Sequence, residues 1–225
     1  MKEFKMKAES PIQKFEFENI GKRDVVGTFN GGTITSDGGA QLLKMVDERL
    51  GITLGLASCC IDYRNPDKIE HTVHELLSQR IYGLALGYED LNDHDRLRSD
   101  PNFATLCGKE DPTGADRERE CDKGKPLAGK STLNRMELTD PGSAEKDRYK
   151  KIVIQPDKTD ELLINIFLKS HKEIPNQIIL DLDSTDDPIH GNQEGKFFHG
   201  YYKSYCYLPL YIFSGDYLLC ARLRD

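Results

Sequence analysis

The stretch Ile178-Ile179-Leu180-Asp181-Leu182-Asp183-Ser184-Thr185 constrains this chain more than any other, because it sets two carboxylates two residues apart at the end of an apolar run. Side chains alternate along a strand, so Leu180 and Leu182 share one face while Asp181 and Asp183 share the other. A carboxylate at the end of a buried strand carries a desolvation cost unless it is paired or bound to a cation. The octet is therefore expected to be a site, and the rest of the chain to bring a substrate to it.

Two apolar and aromatic runs follow, Tyr205 to Phe213 and Tyr217 to Leu223, split by Ser214-Gly215-Asp216. Runs joined by a short glycine-containing turn read as antiparallel neighbours, so the octet is expected to open a three-strand meander. Before it, Leu162, Leu163, Ile166 and Phe167 mark a helix over Asp160 to Leu168, after Pro156 and a Thr159 cap, with Lys169 and Lys172 at its dipole-favoured end. Upstream the periodicity is helical. Ser36 reads as an N-cap, Leu42, Leu43, Val46 and Leu50 as an inward stripe, and Gly51 as the stop. A longer helix opens at Pro66-Asp67, carries Ile69, Val73, Leu76, Leu77, Ile81, Leu84 and Ala85, and ends at Gly87. His71 and His74 on it are either a metal pair or a polar face, and the missing metalloprotease spacing favours the polar face. The polar run from Asp90 to Pro101 reads as a solvated loop or short helix with internal ion pairs. Residues 1–14 are polar, and the alternation in Phe15 to Glu18, the strand formers of Val25 to Phe29 and the Asn30-Gly31-Gly32 turn signal suggest a small hairpin or arm.

With 225 residues, 37% apolar and 31% charged, the sequence reads as soluble and globular. No apolar run approaches the roughly 20 residues of a membrane span. The charged start Met1-Lys2-Glu3-Phe4-Lys5 does not resemble a secretory signal, so a cytoplasmic protein without a membrane partner is expected. The six cysteines have no CxxC spacing and read as reduced thiols. A net charge of −7 argues mildly against nucleic acid, but Cys121 to Lys151 holds eight basic residues against five acids and keeps DNA open as a partner. Within that segment Ser131 to Glu137 reads as a short helix capped by Ser131, with Leu133 and Met136 inward and Lys130, Thr132, Asn134 and Arg135 outward. Asn and Arg there suit base edges and Lys suits phosphates, although the spacing alone favours an ordinary capped surface helix. Gly124 to Ser131 also completes the phosphate-loop pattern G-x-x-x-x-G-K-[ST], although the charged residues before it do not form the buried strand the motif follows.

The acidic octet supports two enzyme readings. Asp181-x-Asp183-x-Thr185 fits the nucleophile motif of haloacid-dehalogenase-type phosphatases, with the first Asp attacking phosphorus and the second acting as acid and base. That motif normally stands near the start of a chain and precedes a helical cap. The alternative is a two-metal phosphoryl-transfer site, in which carboxylates from separate strands hold two cations about 4 Å apart over a phosphate. Five segments in order decide the preference: Thr35-Ser36-Asp37-Gly38-Gly39, Gly87 to His94, Ser131 to Glu137, Leu180 to Thr185, and His190 to Gly195. Together they resemble the bacterial DDE-type insertion-sequence transposases, from about residue 15 onward.

The resemblance implies an α/β chain: an N-terminal arm over residues 1–35, a mostly helical DNA-binding region over 36–150, and the first three strands of a ribonuclease H-like catalytic sheet over 151–225. It implies a homodimer that binds transposon terminal inverted repeats and target DNA, hydrolyses a phosphodiester with Mg2+ or Mn2+, and joins the 3′ hydroxyl to the target. It also implies Asp183 as the first metal ligand with Asp181 as fallback, Lys130, Ser131, Thr132, Asn134 and Arg135 as the reading helix, and nucleoid association when bound. The family's second Asp and its Glu lie on later elements, so the expectation is an incomplete sheet, a chain inactive alone, and a fragment that at most binds DNA.

Overall fold

The structure is a computed structural model, and it describes residues 14–28, 37–140, 142, 144–193 and 195–223. The expected Asn30-Gly31-Gly32 turn and Ser36 cap lie outside those residues. Two compact units divide the chain, one through Val153 and one from Ile154. The fold is α/β, with seven α-helices and four small sheets among the described residues.

The first unit begins with an antiparallel hairpin of β1 (Lys14–Ile20) and β2 (Arg23–Thr28). Its reversal falls at Gly21, whose φ of +59° is a left-handed conformation that glycine adopts without steric cost. The alternating runs therefore pair with each other directly, through a turn that the sequence signal at Asn30 did not indicate.

Helix α1 (Ala40–Leu50) stops at Gly51 as the left-handed cap requires, but it is turned the opposite way from its hydrophobic pattern. Leu42, Leu43, Val46 and Leu50 are all exposed, while Ala40 and Gln41 are buried. Polar contacts explain the inversion. Helix α5 (Pro101–Leu106) meets α1 through a Gln41 to Asn102 hydrogen bond of 3.2 Å and a Lys44 Nζ bond of 3.1 Å to the Thr105 carbonyl. Asp47, one turn on, accepts from the Thr53 backbone N–H, the Thr53 hydroxyl and the Tyr82 hydroxyl. Thr53 lies in α2 (Ile52–Ser58) and is itself buried. Breaking these bonds to turn the leucines inward would leave buried donors unsatisfied, at about 1–3 kcal/mol each.

Helix α3 (Val73–Ala85) starts later than expected, because Thr72 and Glu75 form a capping box and Pro66–Lys68 is a separate 3-10 turn. His71 thus precedes the helix and His74 lies on it. His71 Nε2 meets Arg117 at 3.1 Å and His74 Nε2 meets Thr53 Oγ1 at 3.0 Å, so the two imidazoles face different partners. The polar run after α3 is also corrected: α4 (His94–Leu97) inserts both its terminal residues into the interior. Pro101 opens α5 at its first turn, with Asp100 accepting from the N–H groups of Asn102 and Phe103.

One core cluster gathers Tyr82, Leu97, Phe103, Ala104, Leu106 and Leu127; a second gathers Leu76, Ala128, Leu133 and Ile152. Gln79 of α3 stitches between them. Its Nε2 donates to the Ala128 carbonyl at 2.8 Å, its Oε1 accepts the Ala128 N–H at 3.0 Å, and Nε2 also reaches His94 Nδ1 at 3.2 Å. This holds the segment that leads into α6 (Lys130–Glu137). The His94 ring fits so closely that a Cβ on Gly83 would stand 2.8 Å from its Cε1. Gly83→Ala is therefore expected to destabilise the protein by about 1–3 kcal/mol, read as a lower urea midpoint at unchanged m-value. Strands β3 (Cys60–Asp62) and β4 (Ile152–Ile154) close this unit as a two-stranded sheet.

In the second unit, α7 (Pro156–Ser170) runs longer than expected at both ends, since Pro156 occupies a first-turn position that needs no N–H partner. It packs on β10 (Tyr217–Arg222) through buried Phe167, which meets Tyr217 edge-on at 5.4 Å, and through an Arg222 to Asp160 ion pair. The antiparallel sheet order is β10, β9 (Leu210–Ser214), β5 (Asp181–Ser184), which is the expected meander order, with Gly215 at φ +58° in the β9 to β10 turn. The run Tyr205 to Phe213 is two strands rather than one. Pro209, which has no N–H for a ladder, separates β9 from β8 (Ser204–Tyr207). Strand β8 is the centre of another sheet, between β6 (Asp187–Pro188) and β7 (Phe197–His199).

Candidate functional site

The two sequence-identified groups of residues fall in different units. Asp181 and Asp183 stand on β5 opposite Phe213 and Tyr211 of β9, so both carboxylates share one face of the strand as alternation requires. The desolvation premise does not hold. All four residues of β5 are exposed, and Ile178, Ile179 and Leu180, expected inside the strand, precede it and are exposed as well. Strand β5 is an edge with β9 as its neighbour, which leaves its ladder groups on the other side open to solvent. Neither carboxylate has a cationic side chain within 4.0 Å among the described residues.

Carboxylate oxygen is the donor that Mg2+ and Mn2+ prefer, and an exposed edge admits a hydrated ion, so the chemistry of the pair fits such a cation. Among the described residues no group of three acidic, histidine or cysteine side chains converges to complete a shell. Nearby Asp186 has its Oδ1 buried with no hydrogen-bond partner, a feature that the preceding Asp181-x-Asp183 pattern gave no reason to single out.

The second group lies on α6, and the structure brings its residues together. Leu133 is fully buried and Met136 packs beside it, which leaves Lys130, Ser131, Asn134 and Arg135 exposed and Thr132 half-buried. The helix is capped by Gly129 without a side-chain bond, so Ser131 sits within the first turn and not at the cap as expected. Lys130 is tethered by its Nζ to Asn92 at 2.8 Å and to Asp95 at 3.5 Å. Arg135 instead stacks on Tyr149, its Cζ 4.8 Å from the ring centroid, and Arg148 approaches the same ring at 5.0 Å.

This geometry argues against the phosphate-loop reading of Gly124 to Ser131. The Leu127 N–H donates to the Arg98 carbonyl, the Ala128 N–H to Gln79 and the Lys130 N–H to Asp95 Oδ1. A carboxylate therefore holds the N-terminal position of α6 where a phosphate would bind, and buried Leu127 and Ala128 turn the loop inward. The spacing of the motif is present without its nest of free amides.

Among the described residues no helix is long and apolar enough to cross a membrane. Comparison with curated proteins and with solved structures returned no match. A family model described as transposase DDE domain group 1 matches residues 17–225. That span runs from within β1 through β10 and takes in the acidic edge and α6 alike, and the chain belongs to the DDE-type transposases.

Proposed function

We propose that the protein acts as an insertion-sequence transposase, a homodimer that binds the terminal inverted repeats of its element and target DNA, in which Asp183 supplies a carboxylate for a divalent cation on a ribonuclease H-like sheet. The observation that carries this reading is the family match running through the acidic edge, where Asp181 and Asp183 present their oxygens to solvent from one strand face. The β10-β9-β5 antiparallel order suits the opening of such a sheet. When bound, Mg2+ or Mn2+ supplies Lewis-acid polarisation of a phosphoryl oxygen. The chain's own part is to hold that ion through Asp183, with Asp181 beside it, and to hold DNA through α6. Family membership gives no support to the phosphatase reading of the same pair.

On α6, Asn134 is the residue suited to a bidentate base contact, whereas Lys130 is a point charge suited to phosphate. Fluorescence anisotropy with labelled duplexes of the element's ends and of unrelated sequence tests both. Asn134→Ala is expected to lower the preference for end DNA by about 1–3 kcal/mol. Lys130→Ala is expected to weaken binding to both duplexes alike and, because Asp95 already partly neutralises the ammonium at 3.5 Å, to reduce the salt slope by less than about one. Binding by the unaltered protein that ignores salt contradicts the reading.

A further inference from the structure

Tyr149 is 53% exposed and has two guanidinium groups against its ring, Arg135 at 4.8 Å and Arg148 at 5.0 Å. The two cations therefore lie no more than about 10 Å apart, one Debye length at 0.1 M salt. Among the described residues neither arginine has a carboxylate within 4.0 Å, although five acids occur in the same Cys121 to Lys151 segment.

Three of the five acids are engaged elsewhere. Glu137 of α6 is paired with Arg80, and Asp122 with Arg98. Asp147 accepts the backbone N–H groups of Tyr149 and Lys150 at 2.7 and 3.0 Å, which builds the turn that presents the ring. Lys130 differs in this respect, since Asn92 and Asp95 already hold its ammonium. The structure thus leaves the positive charge of the α6 surface at Arg135 and Arg148. An arginine stacked on an aromatic face keeps its N–H donors free along the guanidinium edge, where a phosphate can meet them in bidentate fashion.

We propose that Arg135, Arg148 and Tyr149 form a clamp for the sugar-phosphate backbone of duplex DNA, so that Arg135 anchors the DNA and does not read its bases. The assignment rests on the DNA-binding reading above, and it adds Arg148 and Tyr149 to the surface while changing the role of Arg135. Duplex DNA carries one negative charge per about 1.7 Å of axis, so more than one phosphate can come within reach of a pair of guanidinia on one ring. Tyr149 contributes by fixing both guanidinia over one ring, and its hydroxyl is a third donor of a type commonly found on phosphates.

Anisotropy titration of the whole chain against an end duplex and an unrelated duplex, each at several KCl concentrations, tests the clamp. Arg135→Ala and Arg148→Ala are each expected to weaken binding about fivefold to tenfold on both duplexes and to lower the salt slope by about one. Tyr149→Ala is expected to weaken both duplexes as well, and Tyr149→Phe, which keeps the stacking ring, to retain most of the affinity. Lys158→Ala, on exposed α7, serves as the charge control and is expected to leave the slope unchanged. Circular dichroism melts confirm that each variant is folded. If the unaltered protein binds with normal salt dependence and the three Ala variants match it, the clamp is wrong while the DNA-binding reading stands. A loss confined to the end duplex in Arg135→Ala makes Arg135 a base reader and overturns the clamp. Absence of salt-dependent binding in the unaltered protein overturns both.

Discussion

In a form of the protein that carries the family's later Asp and Glu, Asp183→Ala is expected to reduce Mg2+-dependent cleavage of the element's end DNA by about a thousandfold or more, and in this chain to leave stability and DNA affinity nearly unchanged. The stability half follows from exposure. Asp183 lies on the open edge strand with no ion-pair partner among the described residues, so its removal breaks no buried contact. Exposed positions away from caps and networks move stability by about 0.5 kcal/mol or less. The activity half follows from the proposed role, because a carboxylate that holds a cation cannot be replaced by a methyl group. Asp181→Ala on the same face is the internal comparison, and it is expected to cost less. A readout independent of turnover is available: Fe2+ with ascorbate cuts the backbone beside a bound metal, and that cut near β5 is expected to disappear in Asp183→Ala. Cleavage that survives Asp183→Ala but not Asp181→Ala reverses the assignment of the two residues.

What could be read from the sequence was local, and what could not was set by polar tertiary contacts. Helix α6 is legible because Leu133 and Met136 recur at helical spacing and both are inward in the fold. The β10-β9-β5 order is legible because a glycine turn joins β9 to β10. The orientation of α1 is not. Its leucine stripe predicts one inward face, yet Gln41, Lys44 and Asp47 find partners on α5, α2 and α3, and that network sets the rotation. His94 is illegible for the same reason: a histidine within an acidic run reads as solvated until Gln79 and the space left by Gly83 are seen to receive its ring. Strand β5 errs the other way, since an apolar run reads as buried and only its place at a sheet edge reveals that it is exposed. The stacking of Arg135 and Arg148 on one ring is likewise invisible, because the Leu138 to Asp147 connection separates the two arginines in sequence.

Acidification from pH 7.5 to pH 5 is expected to lower stability by about 4 kcal/mol through two buried histidines alone. Burial pushes the His71 imidazole down from an ordinary value of 6.5 to about 3, aided by Lys109, Arg117, Arg98 and Arg64 around it. Burial likewise pushes His94 down to about 4, with Arg80 adding to the effect. Hydrogen bonding gives the same direction. An arginine only donates, so His71 Nε2 must accept from Arg117, and a proton there would set cation against cation. The Gln79 amide is oriented by its two bonds to Ala128, so its Nε2 donates to His94 Nδ1, and a proton on that nitrogen would set donor against donor. Each folded value lies below the unfolded one, so the unfolded chain binds more protons between them. The stabilisation is full above about pH 6.5 and is lost as pH falls toward about 4 for His94 and about 3 for His71, each contributing about 2 kcal/mol at pH 5. Urea titrations at the two pH values measure the sum. Proton NMR identifies the source: of the six imidazoles in the chain, those of His71 and His94 are expected to stay neutral down to pH 5. If either titrates near 6.5, its ring is solvated and its share of the acid sensitivity is withdrawn.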